Sequence, residues 1–256
     1  MNLLQIKNFI VAWINDYVEN NHVDALIVGV SGGIDSALTS TLCAMTNVKT
    51  IAVSIPINQR KNELDNANQH INWLLKKYPN TTSEIIDLSK VFEQYKKTIP
   101  PQYKSDLGFA NSKARIRMTT LYQIASNKNG LVVGTGNKIE DFGIGFFTKY
   151  GDGGVDISPI ADLTKSEVQN LAAFCGVKRD IIQAPPTDGL WEDGRNDEEQ
   201  IGATYKELEW AMDFNQKIKL TTREKKVLDI YRKLNEKNQH KMHAVPVCKI
   251  PEKMRS

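Results

Sequence analysis

The sequence predicts an α/β fold: a doubly wound parallel sheet with helices on both faces. Two observations carry this. Short apolar runs rich in branched residues, "ALIVGV" (25–30), "TIAVSIPI" (50–57), "EIIDL" (84–88) and "LVVGT" (131–135), read as strands of a buried sheet. Helical patterns lie between them, and strand and helix in alternation imply parallel strands joined by crossover helices.

The elements follow in chain order. Leu3, Ile6, Ile10, Trp13 and Tyr17 recur at the spacing of one helix face, with Asp16 and Glu19 beside them, so the N-terminus reads as a packing helix and not a targeting segment. After the first strand, residues 36–45 hold good helix formers with no glycine or proline. Leu64, Ala67, Ile71, Leu74 and Leu75 mark the next helix, and residues 109–126 a further one with Ala110, Ala114, Met118 and Leu121 on its core face. Thr164 and Glu167 form a capping-box pattern at a helix start. The basic run 223–241 reads as an exposed helix face and not as an RNA patch.

A chain of 256 residues suffices for one large α/β core, so a single domain is expected. With 33 basic and 30 acidic residues the net charge is only +3, which favours a small-molecule enzyme over a nucleic-acid binder. Cys43, Cys175 and Cys248 are far apart and never in a Cys-x-x-Cys pair, as expected for reduced thiols of a cytoplasmic protein. No apolar stretch approaches the roughly 20 residues that span a bilayer, so no membrane partner is expected.

The chemistry concentrates in two stretches. "VGVSGGIDSALTS" (28–40) places Gly32 and Gly33 at a strand-to-helix turn, where free backbone N–H groups and the positive helix end favour an anion. Ser31 and Ser36 add hydroxyl donors, so phosphate is the expected ligand. The loop lacks the Gly-Lys-Ser/Thr ending of the common mononucleotide loop and the glycine spacing of the dinucleotide fingerprint. Asp35 would repel a phosphate unless a cation intervened, which points to Mg²⁺ between it and polyphosphate oxygens. The plainer alternative is a glycine-rich turn with an N-capping aspartate. The second stretch, "GTGNKIEDFGIGFFTKYGDGGVDISPI" (134–160), carries seven glycines and shows no helix or strand pattern. So long a loop reads as a site or lid, fastened by Phe142, Phe146, Phe147 and Tyr150 and, from its glycines, mobile over 143–154 when empty. If the first and fourth strands flank the point where the winding reverses, Ser31 and Thr135 face one crevice.

Ser-Gly-Gly-x-Asp-Ser after an apolar strand resembles the pyrophosphate loop of the ATP pyrophosphatase (adenine nucleotide alpha hydrolase-like) superfamily. "KARIRM" (113–118), "FFTKYGDGGVDISPI" (146–160) and "PTDGLW" (186–191) narrow the resemblance to the NAD synthetase family, over roughly residue 5 to Lys241. The resemblance implies a five-stranded Rossmann-like sheet and amidation of deamido-NAD through an adenylated carboxylate, with ATP as co-substrate and Mg²⁺ as cofactor. No nitrilase-like glutaminase region is recognised, so free ammonia is the implied nitrogen donor, and the family implies a homodimer.

By matching motif, Gly29, Val30, Ser31, Gly32, Gly33, Ile34, Asp35, Ser36, Thr135, Lys165 and Thr187 would bind ATP. Asp35 and Glu140 would hold Mg²⁺, and with Lys165 and Asp152 would form the catalytic set. Arg115, Lys149, Asp156, His240 and Lys241 would bind deamido-NAD. Asp152 is read equally as the base that takes a proton from ammonium or as a turn residue of "GDGG". Without the family, Arg115 would be a solvated helix charge and Lys165 a first-turn residue, and His240 with His243 makes a poor zinc signal. Two departures from the family pattern stand out: the doubled proline of "APPT", and "EDFGIG", one residue longer than in some shorter relatives. The rival classes are an adenylating enzyme acting on tRNA, which would need a more basic surface, and a non-catalytic nucleotide binder, which would not need both Asp35 and Glu140.

Overall fold

The computed structural model describes residues 1–187, 189–191, 196–215 and 218–255. Helix α1 (Leu3–Asn20) leads into β1 (Ala25–Gly29), α2 (Ile34–Ala44), β2 (Lys49–Ser54), α3 (Lys61–Lys77) and β3 (Thr81–Ile85). The chain continues through α4 (Ser89–Thr98), α5 (Asp106–Lys128), β4 (Gly130–Val133) and a π-helix (Ile139–Ile144). It ends in α6 (Lys165–Cys175), α7 (Arg179–Gln183), α8 (Asp197–Ile201), α9 (Tyr205–Asp213) and α10 (Thr222–Met242).

The strands pair in parallel in the order β3-β2-β1-β4, with Val28 opposite both Ala52 and Val133. Alternation along β1 divides the core. Leu26 and Val28 pack with α1, α2 and α6 through Ile14, Leu38 and Leu171, whereas Ala25 and Ile27 join Met118 and Leu121 of α5 on the other face. Helices therefore cover both faces, as the alternation predicted.

Among the described residues the sheet has four strands, not five. Where a fifth would pair with β4 there is a single parallel bridge, Val133 to Ile157. The edge is otherwise closed by Asp156: its backbone N–H donates to Val132 O, and its Oδ2 accepts from Val132 N at 2.7 Å. A side-chain carboxylate thus takes the place of a strand carbonyl, which satisfies the edge and ends pairing.

Other boundaries shift for physical reasons. β2 stops before Pro56, which has no N–H for the ladder. β3 begins at Thr81 instead of Glu84, because an edge strand with one pairing partner carries the polar "TTSEI" without an apolar signature. Helix α1 buries Ile10, Ile14 and Val18 and leaves Trp13 38 % exposed, a rotated version of the expected face.

On α3, Leu75 is exposed, and His70 lies with Ala67, Ile71 and Leu74 on the buried face. His70 is 1 % exposed, and its Nε2 lies 2.9 Å from Ser40 Oγ on α2. Ser40 donates to Ser36 O, which leaves its oxygen to accept from His70 Nε2. Burial holds its pKa down from 6.5 to about 4. Between those values the unfolded chain takes a proton that the native chain refuses, so stability is lost as pH falls. We expect roughly 3 kcal/mol of acid-sensitive stability between pH 6.5 and 4 from this residue. Urea unfolding over that range should show a steeper pH slope for wild type than for His70→Gln, and equal slopes would refute the assignment.

A separate apolar cluster stands apart from the sheet: Ile139 and Ile144 of the π-helix pack with Leu208 and Ala211 of α9 and Val227 of α10. No helix among the described residues is long and apolar enough to cross a membrane.

Candidate active site

The winding reverses between β1 and β4, and a cavity of about 370 Å³ opens there beyond the strand ends. Gly29, Val30, Ser31, Gly32, Gly33, Ile34, Asp35 and Ser36 line it from β1, and Thr135 faces them from β4. The expectation that Ser31 and Thr135 share one crevice holds.

Local hydrogen bonds shape the loop. Ser31 N donates to Ser36 Oγ at 3.2 Å, and Ser36 Oγ donates to Gly33 O at 2.9 Å, which curls the backbone over the start of α2. Gly33 is the N-cap and Asp35 stands in the first helical turn, so the capping alternative for Asp35 falls. Gly32 adopts φ +95°, and a Cβ there would lie 2.3 Å from Glu63 O, so only glycine fits.

The charge in the cavity is organised around Lys165, at the start of α6. Thr164 and Glu167 cap that helix with the reciprocal bonds read from the sequence, which fixes where Lys165 leaves the backbone. Its ammonium lies 2.6 Å from Asp35 Oδ2 and 3.0 Å from Glu140 Oε1, with the lysine side chain only 6 % exposed. Asn137, fully buried, donates to Asp35 Oδ1 at 3.1 Å, while its own Oδ1 accepts from the N–H groups of Ile139 and Glu140. Tyr205 on α9 donates to Glu140 Oε1 at 2.5 Å.

Burial pushes the Asp35 carboxyl above the usual range, with Glu140 adding to it and Lys165 opposing. Burial acts the same way on Glu140, but the Lys165 charge and the bonds from Tyr205 and Lys165 outweigh it and hold Glu140 low. Burial alone would lower Lys165; Asp35 and Glu140 more than reverse this, so the ammonium stays charged. Asp141 is pushed up to about 8 by burial, then by Glu140, Asp152 and Asp35, and holds its proton at neutral pH. Its carboxyl rests on Gly136, where a Cβ would come within 2.1 Å of it.

Asp35 and Glu140 present hard oxygen donors to one point now held by a single positive charge, beside a phosphate cradle. Mg²⁺ typically takes one or two carboxylates and completes its shell with phosphate oxygens and water, so this donor pair fits it. Among the described residues no group of three or more His, Cys, Asp or Glu is placed to hold a metal by itself.

Thr187 lines the cavity, and its Oγ1 accepts from Gly189 N; Asp188, within the quoted "PTDGLW", lies outside the described residues. Asp152 also lines the cavity while its Oδ1 accepts from Thr148 N at 3.0 Å, so it is both a turn residue and a wall residue. Residues Ile139–Ile144, which include most of "EDFGIG", form a π-helix that carries Glu140 in its first turn. It replaces the structureless loop expected there. The glycine-rich segment that follows is hydrogen-bonded at many points, among them Asn238 to Ile144 O and Thr148 Oγ1 to Asn111 Oδ1.

Arg115, Lys149, His240 and Lys241 gather outside the cavity wall. Arg115 Nε donates to Lys149 O at 3.2 Å, Lys149 Nζ donates to His240 O, and Lys241 Nζ donates to the Gly145 and Phe147 carbonyls. Phe147 lines the cavity itself, so this group and the cavity share a wall. Burial lowers the pKa of Lys241. Asp156 is not on the wall; besides closing the sheet edge it accepts from Tyr122 OH at 2.9 Å, on the same α5 face as Arg115 two turns away.

The sequence reading did not single out Asn137, Asp141, Tyr205, Asp197 or Arg117. Asp141, Asp197 and Arg117 line the cavity, and Arg117 Nε also donates to Ile55 O. The "GTGN" turn was the one available signal, for Asn137; Tyr205 is 65 residues from Glu140 and reads as an ordinary residue of an amphipathic helix.

A family model described as NAD synthase matches residues 6–245. The NH(3)-dependent NAD(+) synthetase of Alkaliphilus metalliredigens is 36% identical over 253 residues, covering 94% of this chain and 96% of that protein. The structure of an NMN synthetase from Francisella tularensis superposes with a TM-score of 0.88 at 28% identity, covering 98% of this chain and 100% of that one. An NH3-dependent NAD synthetase from Campylobacter jejuni, in complex with the nitrate ion, gives 0.79 at 26% identity over 97% and 100%. With the glycine-rich loop, the carboxylate pair and the bridging lysine all in one cavity, this chain belongs to the NAD synthase family.

Proposed function

We propose that the protein is an ammonia-dependent NAD synthetase: a ligase that amidates the nicotinate carboxylate of deamido-NAD at the expense of ATP. The observation that carries this reading is the placement of Asp35, Glu140 and Lys165 against the loop 31–36 in one cavity. A carboxylate resists direct amidation because ammonia would have to expel oxide. Attack of the carboxylate oxygen on the α-phosphorus of ATP gives an acyl adenylate and releases pyrophosphate. Ammonia then attacks the acyl carbon, and AMP leaves with the C–O bonding pair.

The chain's residues supply position and charge for both steps. The backbone and hydroxyls of Ser31, Gly32, Gly33 and Ser36 hold the departing pyrophosphate, with Thr135 and Thr187 completing the ATP site. Asp35 and Glu140 would hold Mg²⁺, which when bound supplies positive charge to the phosphate oxygens, and Lys165 adds its own. Asp152 we assign to hold ammonium and take its proton. We assign Arg115, Lys149, His240 and Lys241 to the anionic groups of the pyridine nucleotide, together with Asp156. We place the enzyme in the cytoplasm as a homodimer, with exposed Phe9 and Trp13 of α1, one turn apart, as a contact face.

A second substrate reading is favoured by the likeness to the Francisella NMN synthetase. Nicotinate mononucleotide carries the same reacting carboxylate, so the same machinery would amidate it. Purified protein with Mg·ATP, ammonium or glutamine, and each pyridine substrate decides. We expect NAD with equimolar AMP and pyrophosphate from deamido-NAD and ammonium. Faster amidation of the mononucleotide would move the assignment to NMN synthesis. Absence of amide from either substrate, with ATP still bound, would overturn both and make tRNA adenylation the next assay.

A further inference from the structure

The phenol of Tyr205 belongs to the site although it lies on α9, in the part of the chain that packs away from the sheet. We infer that Tyr205 is a positioning residue for the metal–nucleotide complex, acting through Glu140 and Lys165. The inference rests on the nucleotide-site half of the reading above, and it assigns a role to a residue that the motifs do not mark.

Two contacts from one side chain carry it. The hydroxyl donates to Glu140 Oε1 at 2.5 Å, and the ring lies 4.7 Å from the Lys165 ammonium, which itself bonds the same Glu140 oxygen. Tyr205 is 5 % exposed, so neither contact is diluted by water. A second carboxylate, Asp197 on the cavity wall, has its Oδ2 3.3 Å from the same hydroxyl. The phenol has one proton, and the shorter contact takes it, so Tyr205 is committed to Glu140.

The surrounding fold makes this a fixed relation. Tyr205, Ile139 and Ile144 share one apolar cluster, so α9 packs directly on the π-helix that carries Glu140. Tyr205 N donates to Glu198 Oε1 at 2.8 Å, and a capping box at Thr204 and Glu207 sets the start of α9. The backbone of residue 205 is therefore held on both sides. One oxygen of Glu140 is occupied by the phenol and the ammonium, which directs the carboxylate before any cation arrives. Outer partners of metal-ligating carboxylates typically govern affinity or activity by about 10- to 100-fold.

The test is Tyr205→Phe in the full chain, which keeps the buried ring and its contact with Lys165 and removes only the hydroxyl. The probe is Mn²⁺ with α,β-methylene ATP, which binds without turnover, followed by electron paramagnetic resonance of the free ion. We expect Mn²⁺ affinity to fall about 10- to 100-fold, with the ligand-free melting temperature little changed. In turnover, kcat should fall and half-saturating Mg²⁺ rise while KM for the pyridine substrate stays put. A double-mutant cycle with Glu140→Gln keeps the idea testable if the single variant is poorly stable: once Glu140→Gln has been made, the loss of the phenol should cost little more. Wild-type Mn²⁺ affinity in Tyr205→Phe, or additive losses in the cycle, would overturn the inference. Because binding is read without turnover, a wild-type enzyme that binds the Mn²⁺–nucleotide but forms no amide would sink the substrate reading alone.

Discussion

Lys165→Met is expected to slow amide synthesis severely and to destabilise the protein at once. The methionine fills similar volume but leaves Asp35 and Glu140, both largely shielded from water, facing each other without the ammonium that now lies within 3.0 Å of each. Removing one partner from a buried ionic cluster costs about 3–5 kcal/mol, because the remaining charges keep their desolvation penalty and lose their compensation. Turnover should fall by on the order of 10²–10³, the usual cost of deleting a donor that stabilises developing charge. The two losses are separable: urea unfolding at neutral pH reads the first, and ATP–pyrophosphate exchange with deamido-NAD reads the second. A variant with a wild-type unfolding midpoint would show that the ion cluster contributes nothing to the fold.

Asp35→Asn is expected to move activity and stability in opposite directions. Burial already pushes the Asp35 carboxyl up, so its ionised form is held at a cost. An amide of the same shape removes that cost and keeps Lys165 paired with Glu140; this offsets the one hydrogen bond lost where its NH2 meets the Asn137 or the Lys165 donor, so the melting temperature should be unchanged or higher. The variant loses one of the two oxygen donors proposed for Mg²⁺, and turnover should again drop by on the order of 10²–10³. Calorimetry of the ligand-free variant beside steady-state kinetics across Mg²⁺ concentrations checks both halves. A marked fall in melting temperature would mean that the Asp35 charge stabilises the fold, contrary to the argument from burial.

The chain made its local features legible. The phosphate loop was readable because its shape depends on residues a few positions apart: Gly32 needs a positive φ, Ser31 and Ser36 bond each other, and an apolar strand precedes them. The capping box at Thr164 was readable for the same reason. The two-faced sheet followed from alternating apolar runs, down to Met118 and Leu121 of α5 on the far side of β1. The fifth strand was not readable as absent, because that outcome depends on Asp156 reaching across to Val132 N, a contact between residues 24 apart. The face of α1 was misjudged for a related reason: Trp13 and Ile14 are both apolar, and only packing against α2 and α6 selects one of them.

What this sequence determined by itself is the set of local conformations and the shape of the glycine-rich loop, since backbone geometry, capping and periodicity act over a few residues. Only the tertiary structure decided the electrostatics. Lys165 lies 130 residues from Asp35 and 25 from Glu140, and Tyr205 lies 65 from that glutamate. Whether those charges meet, which one desolvation disfavours and which hydroxyl holds them in place depend on distance and burial in space, and the energy of a charge is set by what surrounds it, not by its neighbours along the chain.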